Sequence, residues 1–131
     1  MLKEILKYDT QSKIGSVEFY DENSKIGSCG FKINKNDVYL ATEEETMLLV
    51  NPEHRHQGFG QKLITRAIDT ALKYVQNRDE KARIIREIAT WNSKGKQIIE
   101  QAGFKEIKDN EDYDPGNSSI TIYQKMFNIQ D

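Results

Sequence analysis

The sequence has one cysteine, Cys29, in 131 residues, so it can form no internal disulfide. Such a chain suits a reducing compartment, and a cytoplasmic setting is the expectation. Long apolar runs are missing too. None approaches the roughly 20 residues that span a bilayer, and the opening MLKEILKYDT holds no apolar stretch of signal-peptide length. Charge of one sign is absent: 19 Lys and Arg stand against 21 Asp and Glu, a net charge of −2. With no basic excess to displace phosphate counterions, nucleic acid is not the expected partner. Histidine is scarce. His54 and His56 lie two apart with no further Cys or His near them, a poor basis for a metal site. Repeats, low-complexity tracts and linkers are also lacking. One domain over residues 1–131, around one core, is the expectation.

What is present is a polar globular balance, 37% apolar and 31% charged. The first half reads as strands: KEILKYDT, then KIGSVEFYDE, which alternates and stops at the turn signal D-E-N-S, then SKIGSCGFKIN. The short polar connection between the last two predicts a hairpin. DVYLATEEETMLLV looks extended and stops at Asn51-Pro52, since proline cannot donate to a ladder. From Gly58 the period changes. Leu63, Ile64, Ala67, Ile68, Ala71, Leu72 and Val75 fall on one face, which predicts a helix from about Gly58 to Gln76. The segment after it, DEKARIIREIATW, is compatible on propensity with helix or strand. KGKQIIEQA then reads as a helix ended by Gly103. Phe104 to Lys108 and Ser119 to Phe127 read as two closing strands around the acidic loop DNEDYDPGN. The order is that of an α/β or α+β layer, helices on a mixed sheet.

Residues 50 to 63, VNPEHRHQGFGQKL, place Gly58 and Gly60 where a helix should begin. Glycine costs a helix roughly 1 kcal/mol against alanine, so the backbone there must serve something else. The first N–H groups of a helix lack internal partners, and the macrodipole adds about half a positive charge. Glycines remove the Cβ atoms that would hold an anion away. R-H-Q-G-F-G therefore reads as a backbone cradle for phosphate or pyrophosphate, with Arg55 and His56 beside it. GxxxxGK[ST] is absent and GxGxxG is incomplete, which excludes a P-loop and a Rossmann fingerprint.

An R-x-x-G-x-G cradle behind V-x-P resembles the GNAT superfamily of acyl-CoA-dependent N-acetyltransferases, through Val50, Pro52, Arg55, Gly58 and Gly60. Downstream, TWNSKGKQIIEQAGF resembles the second motif of that family, through Asn92, Gly103 and Phe104. The resemblance covers about residues 40 to 127. It implies a mixed, mostly antiparallel sheet with helices packed on its faces and splayed central strands. It also favours a strand around Ile84 to Trp91.

By resemblance, acetyl-CoA is the cosubstrate and an amine the acceptor. The coenzyme's pyrophosphate would sit on Arg55, His56, Gln57, Gly58, Phe59 and Gly60. Its pantetheine arm would run along Met47 to Val50, with backbone N–H groups near Leu48 holding the thioester oxygen, and Asn92 would bond the arm. A lysine-like amine has a pKa near 10.4, so freeing its lone pair at pH 7 takes roughly 4–5 kcal/mol of the barrier. A carboxylate can take that proton. Counting back from Val50, strand alternation puts Glu44 on the face of Leu48 and Val50, and its position matches the general-base glutamate of one GNAT branch. Glu44 is the candidate base, with Glu43 and Glu45 as solvated neighbours.

Two features depart from the family. Ile99 stands where many members carry a tyrosine that protonates the leaving thiolate, so water, Tyr113 or Tyr123 would have to serve. Thr10 to Lys13 leaves no room for the early helices that wall the acceptor site, so that site is either open or covered by a second subunit. A homodimer would also hide an edge strand. These departures leave a second reading, a GNAT-fold coenzyme-A-binding module without turnover. Bland roles stand beside several residues. Cys29 is expected as a buried structural thiol, Trp91 as core or cleft wall, and Asn92 as the cap of the next helix, with or without a ligand role. The acidic loop Asp109 to Asp114 either faces solvent or attracts a cationic acceptor.

Overall fold

The computed structural model describes residues 2–42, 47–107 and 120–129. It opens with a meander. Strand β1 (Leu2–Asp9) pairs with β2 (Ile14–Asp21), and β2 with β3 (Ser24–Asn34), both antiparallel. The β1–β2 connection is a four-residue turn, residues 10–13, with no helix inserted, as the short Thr10–Lys13 spacing predicts. Lys13, Glu22 and Lys35 take positive φ at the three turns of the meander. Strand β4 (Asp37–Leu40) closes it against β3.

The expected continuous strand from Asp37 to Val50 is broken. β4 stops at Leu40, Ala41 turns left-handed with φ 53°, and among the described residues the next paired strand is β5 (Leu49–Val50). The registers locate the break. Phe31 faces Leu40, yet Ser28 faces Leu49, so two residues of β3, Cys29 and Gly30, separate partners nine positions apart on the other chain segment. Gly27 is where the chain is readmitted. A Cβ built there would lie 2.3 Å from the Leu49 carbonyl oxygen and 3.0 Å from Leu63 Cδ1, so only glycine allows so close an approach.

A 3₁₀ turn (Pro52–His54) and a loop lead to α1 (Phe59–Ala71). The helix ends five residues short of the predicted Gln76. Tightened bonds from Lys73 N to Thr70 O and from Tyr74 N to Ala71 O close it. Arg78 Nη1 takes the orphan carbonyl of Leu72 at 3.0 Å, and Tyr74 stacks on Tyr8 with ring centroids 4.1 Å apart. Strand β6 (Ala82–Ala89) runs parallel to β4. It is followed by α2 (Ser93–Gln101), β7 (Lys105–Glu106) and β8 (Ile120–Phe127). The eight-stranded sheet has the order β1-β2-β3-β4-β6-β8-β7, with β5 added on β3, and all pairs but β4–β6 are antiparallel.

The core lies between the sheet and α1. Leu63, Ala67 and Ala71 of the helix pack with Val17, Cys29, Phe31, Val38, Leu40 and Ile84 of the strands, all fully buried. Each large side chain so removed from water contributes about 1.5–3 kcal/mol. α2 ends in a Schellman arrangement: Phe104 N bonds Ile99 O, Gly103 N bonds Glu100 O, and Gly103 takes φ +92°.

Candidate active site

The parallel ladder between β4 and β6 ends at the pair Leu40–Arg86. β6 continues to Ala89, but its neighbour has left the sheet. The central strands therefore part, and a cleft of about 410 Å³ opens between Leu48 on one side and Arg86 to Ala89 and Asn92 on the other. Ile64 of α1 and Ile98 and Ile99 of α2 supply its apolar wall. Gly58 and Gly60 lie at its mouth.

Gly58 is the N-cap of α1 and sits in the left-handed region at φ 81°. It offers no side chain to cap the helix, so the N–H groups of the first turn keep their outward donors. A Cβ built on Gly58 meets nothing within 4 Å. The space in front of the helix is open, and glycine is required there for its backbone conformation, not for want of room. His56 also has positive φ, at 66°. Together these turn the chain sharply before α1. The arrangement fits an anionic group at the mouth of the cleft, as the diphosphate of coenzyme A would require.

The other candidate residues are placed as follows. Leu48, Gly58, Gly60 and Asn92 line the one cleft. Val50 is in β5, and its Cγ2 lies 4.0 Å from a Cβ built on Gly60. Arg55 donates from Nε to the Val50 carbonyl at 3.3 Å, and the residue is exposed. His56 and Gln57 are exposed on the loop, whereas Phe59 is partly buried against the core, with Lys62 Nζ 5.5 Å from its ring centroid. Asn92 caps α2: its Oδ1 accepts from Gly95 N at 2.9 Å. Glu44, with Glu43 and Glu45, falls outside the described residues, as do Tyr113 and the loop Asp109 to Asp114. Because the run is interrupted at Ala41, counting faces back along an unbroken strand from Val50 no longer selects Glu44. Its candidacy rests on the family match.

Two expectations need correction. Trp91 is neither core nor cleft wall. Asn92 N bonds Ala89 O and Ser93 N bonds Trp91 O, a tight turn that swings the indole out to 82% exposure. Tyr123 is ill suited to protonate a leaving group. Its hydroxyl donates to Glu100 Oε1 at 2.9 Å, and burial, followed by that bond, pushes its pKa to about 12. Ile99 lines the cleft and is buried, so the usual position of the tyrosine holds no proton donor. Cys29 is fully buried, and burial raises its pKa to about 12, which leaves a neutral structural thiol.

Arg86 escapes the sequence reading. Alternation puts Ile84, Arg86 and Ile88 on one face of β6, two buried isoleucines around a cation. A charged residue interrupting the inward face of a strand was the available signal. Burial draws its guanidinium below the ordinary arginine value, and Cys29 offsets this in part. Among the described residues no group of His, Cys, Asp and Glu gathers into a metal site, and no helix is long and apolar enough to cross a membrane.

A mixed sheet whose parallel pair opens into a cleft, with a glycine-led helix terminus at the mouth, is the architecture of the GNAT acyltransferases. A family model for the acetyltransferase (GNAT) domain matches residues 15–106, and the chain belongs to that family. Solved structures agree on the fold. A Klebsiella pneumoniae protein assigned as an acyl-CoA N-acyltransferase is 12% identical, with a TM-score of 0.71 and 97% of each chain covered. PaiA N-acetyltransferase from Thermoplasma acidophilum, solved with coenzyme A, is 22% identical at a TM-score of 0.65. The match covers 88% of this chain and 62% of that one. The ribosomal-protein-S18-alanine N-acetyltransferase of Escherichia coli is 16% identical at 0.66, covering 91% and 72%. No curated protein matches the chain in sequence.

Proposed function

We propose that this chain is an N-acetyltransferase that moves an acetyl group from acetyl-CoA to an amine by direct attack in a ternary complex. The observation that carries the reading is the uncapped, glycine-led N-terminus of α1 at the mouth of the cleft between the parted strands. Acetyl-CoA would supply an activated acyl carbon. The chain's part is to hold it and to manage charge. First-turn N–H groups of α1 and Arg55 bind the diphosphate, with His56 and Gln57 alongside. The apolar wall of Ile64, Ile98 and Ile99 excludes water from the arm, and Asn92 flanks it. The backbone at Leu48 donates to the acyl oxygen, where negative charge develops. Glu44 removes the proton of the attacking amine.

The relatives support an amine as acceptor: besides the two N-acetyltransferases above, a spermidine/spermine N-acetyltransferase of Vibrio cholerae shares the fold at 20% identity and a TM-score of 0.65. The chain is read as one domain over residues 1–131, working in the cytoplasm, with no nucleic acid or membrane as partner and with its assembly open between a monomer and a homodimer. Calorimetry with acetyl-CoA, followed by thiol release across a panel of amines, tests the reading. Binding with turnover on an amine supports it, and absence of binding overturns it.

The second reading is a coenzyme-A-binding module without turnover, in a regulatory or assembly role. Ile99 in the cleft and the bare β1–β2 turn favour it. Binding without thiol release on any amine would select it.

A further inference from the structure

The geometry points to Arg86 as the group that stabilises the departing sulfur of coenzyme A, in place of the missing proton donor at Ile99. This rests on the acetyl-CoA reading above. The registers set the direction of the cleft. Leu40 faces Phe31 and Val50 faces Gly27, so the gap runs up the sheet from its vertex at Leu40–Arg86 toward Val50 and the cradle behind it. A coenzyme whose diphosphate sits at the mouth turns its thiol end toward the vertex, where Arg86 lines the wall.

Among the described residues, none of the groups around the guanidinium neutralises it. Cys29 on β3 is a neutral thiol at ordinary pH. Tyr123, its register partner on β8, has given its hydroxyl proton to a bond with Glu100. Glu87, next on the strand, also lines the cleft, and it has an interaction of its own but no ion pair with Arg86. Among the described residues no carboxylate forms an ion pair with Arg86, whereas Arg66 pairs with Glu4 and Asp69, and Arg83 with Asp37. A half-buried cation with no ion pair among the described residues, facing a cleft, is suited to an anion that appears there. In the reaction the amine nitrogen bonds the acyl carbon, the carbon–sulfur bond breaks, and its electron pair leaves on sulfur. The amine's proton goes to the base. Arg86 stays protonated throughout and supplies charge alone, and water later protonates the sulfur.

The test is the thiol pKa of bound coenzyme A, followed by thiolate ultraviolet absorbance. Cys29 is silent in that range. In the unaltered protein the bound thiol should titrate at least about tenfold more readily than in free coenzyme A, as an opposite charge within about 4–6 Å lowers a pKa by one unit or more. Arg86→Met should return it to the free value or above, Arg86→Lys should keep most of the shift, and neither should change affinity for desulfo-coenzyme A more than about twofold. Acetyl transfer by Arg86→Met should fall on the order of 10²-fold, the scale of one lost electrostatic donor. A bound thiol that titrates at or above the free value in the unaltered protein overturns the assignment alone, without need of any variant. No binding heat for coenzyme A overturns both the assignment and the reading beneath it.

Discussion

Arg55 Nε donates to the carbonyl of Val50 at 3.3 Å, fastening the turn ahead of α1 to the last residue of β5. Asn51 helps from the other side: its N bonds Ile26 O at 2.7 Å, and its side chain accepts from Glu53 N. The loop ahead of α1 is thus anchored to the strand that borders the cleft. Mouth and wall keep one geometry, as a ligand spanning both requires.

Gly58 is required for its φ of +81°, and the space before it is open. Gly58→Ala should lower stability by about 1–2 kcal/mol, the cost of a left-handed alanine. It should weaken coenzyme A binding by more than that loss of stability explains. A bulkier residue should abolish binding while the circular dichroism spectrum stays native. Calorimetry on the folded variants decides it.

Glu44→Gln should reduce kcat on the order of 10²-fold near neutral pH, with KM for acetyl-CoA unchanged and partial recovery at high pH, where the amine loses its proton unaided. An unaltered pH–rate profile removes Glu44 as the base.

Asn92 caps α2 through Gly95 N, and a Cβ on Gly95 would come 2.6 Å from Asn92 Nδ2. Asn92→Ala should cost about 1 kcal/mol, a Tm drop of a few degrees at this size. Gly95→Ala should cost a similar amount by displacing the same side chain. If Asn92 also holds the arm of the coenzyme, Asn92→Ala will weaken coenzyme binding more than Gly95→Ala does.

Glu18, nearly buried on β2, accepts ion pairs from Lys7 at 2.8 Å and Lys25 at 3.1 Å. The bond from Lys7 foremost, opposed by burial and aided by Lys25, holds its carboxyl below the ordinary 4.5. A depressed folded pKa stabilises fully above the unfolded value and is lost as pH falls through the folded one. The stability difference between the unaltered protein and Glu18→Gln, read by urea unfolding, should be level at neutral pH and shrink in acid below 4.5. Lys7, whose pKa Glu18 raises above 10.5, sets the alkaline side: its share holds below that value and is lost as pH rises past the folded one.

Cys29 is fully buried with its pKa near 12. Thiol reagents at pH 8 should label it only as fast as the protein opens, because the thiolate is the reactive form. Rapid labelling of the folded protein would contradict the buried site.

Much of this was legible in the chain. Three runs set off by turn signals matched β1 to β3 almost to the residue, and Asn92 with Gly103 marked both ends of α2. The glycines at 58 and 60 pointed to the cleft mouth because their cost in a helix called for a reason. What stayed hidden depends on pairing across the sheet. DVYLATEEETMLLV has uniform strand character, and only the register against β3, with Gly27 admitting Leu49, splits it in two. Arg86 interrupts an apolar face, but what that cation faces becomes clear only once β4 is seen to end beside it. The exposure of Trp91 follows from two backbone bonds in a tight turn, which an apolar residue type does not announce.

The direct turn from β1 to β2 has a consequence for assembly. With no helices inserted, residues 2–40 form an unbroken run of neighbouring hairpins, which close short loops and so form quickly. The parallel pairing of β4 with β6 must instead wait for the chain between Leu40 and Ala82 to be laid down and closed. The proposed coenzyme cleft comes into being with that long-range step, so stabilisation by a ligand of the cleft will report the closed sheet, not its early scaffold.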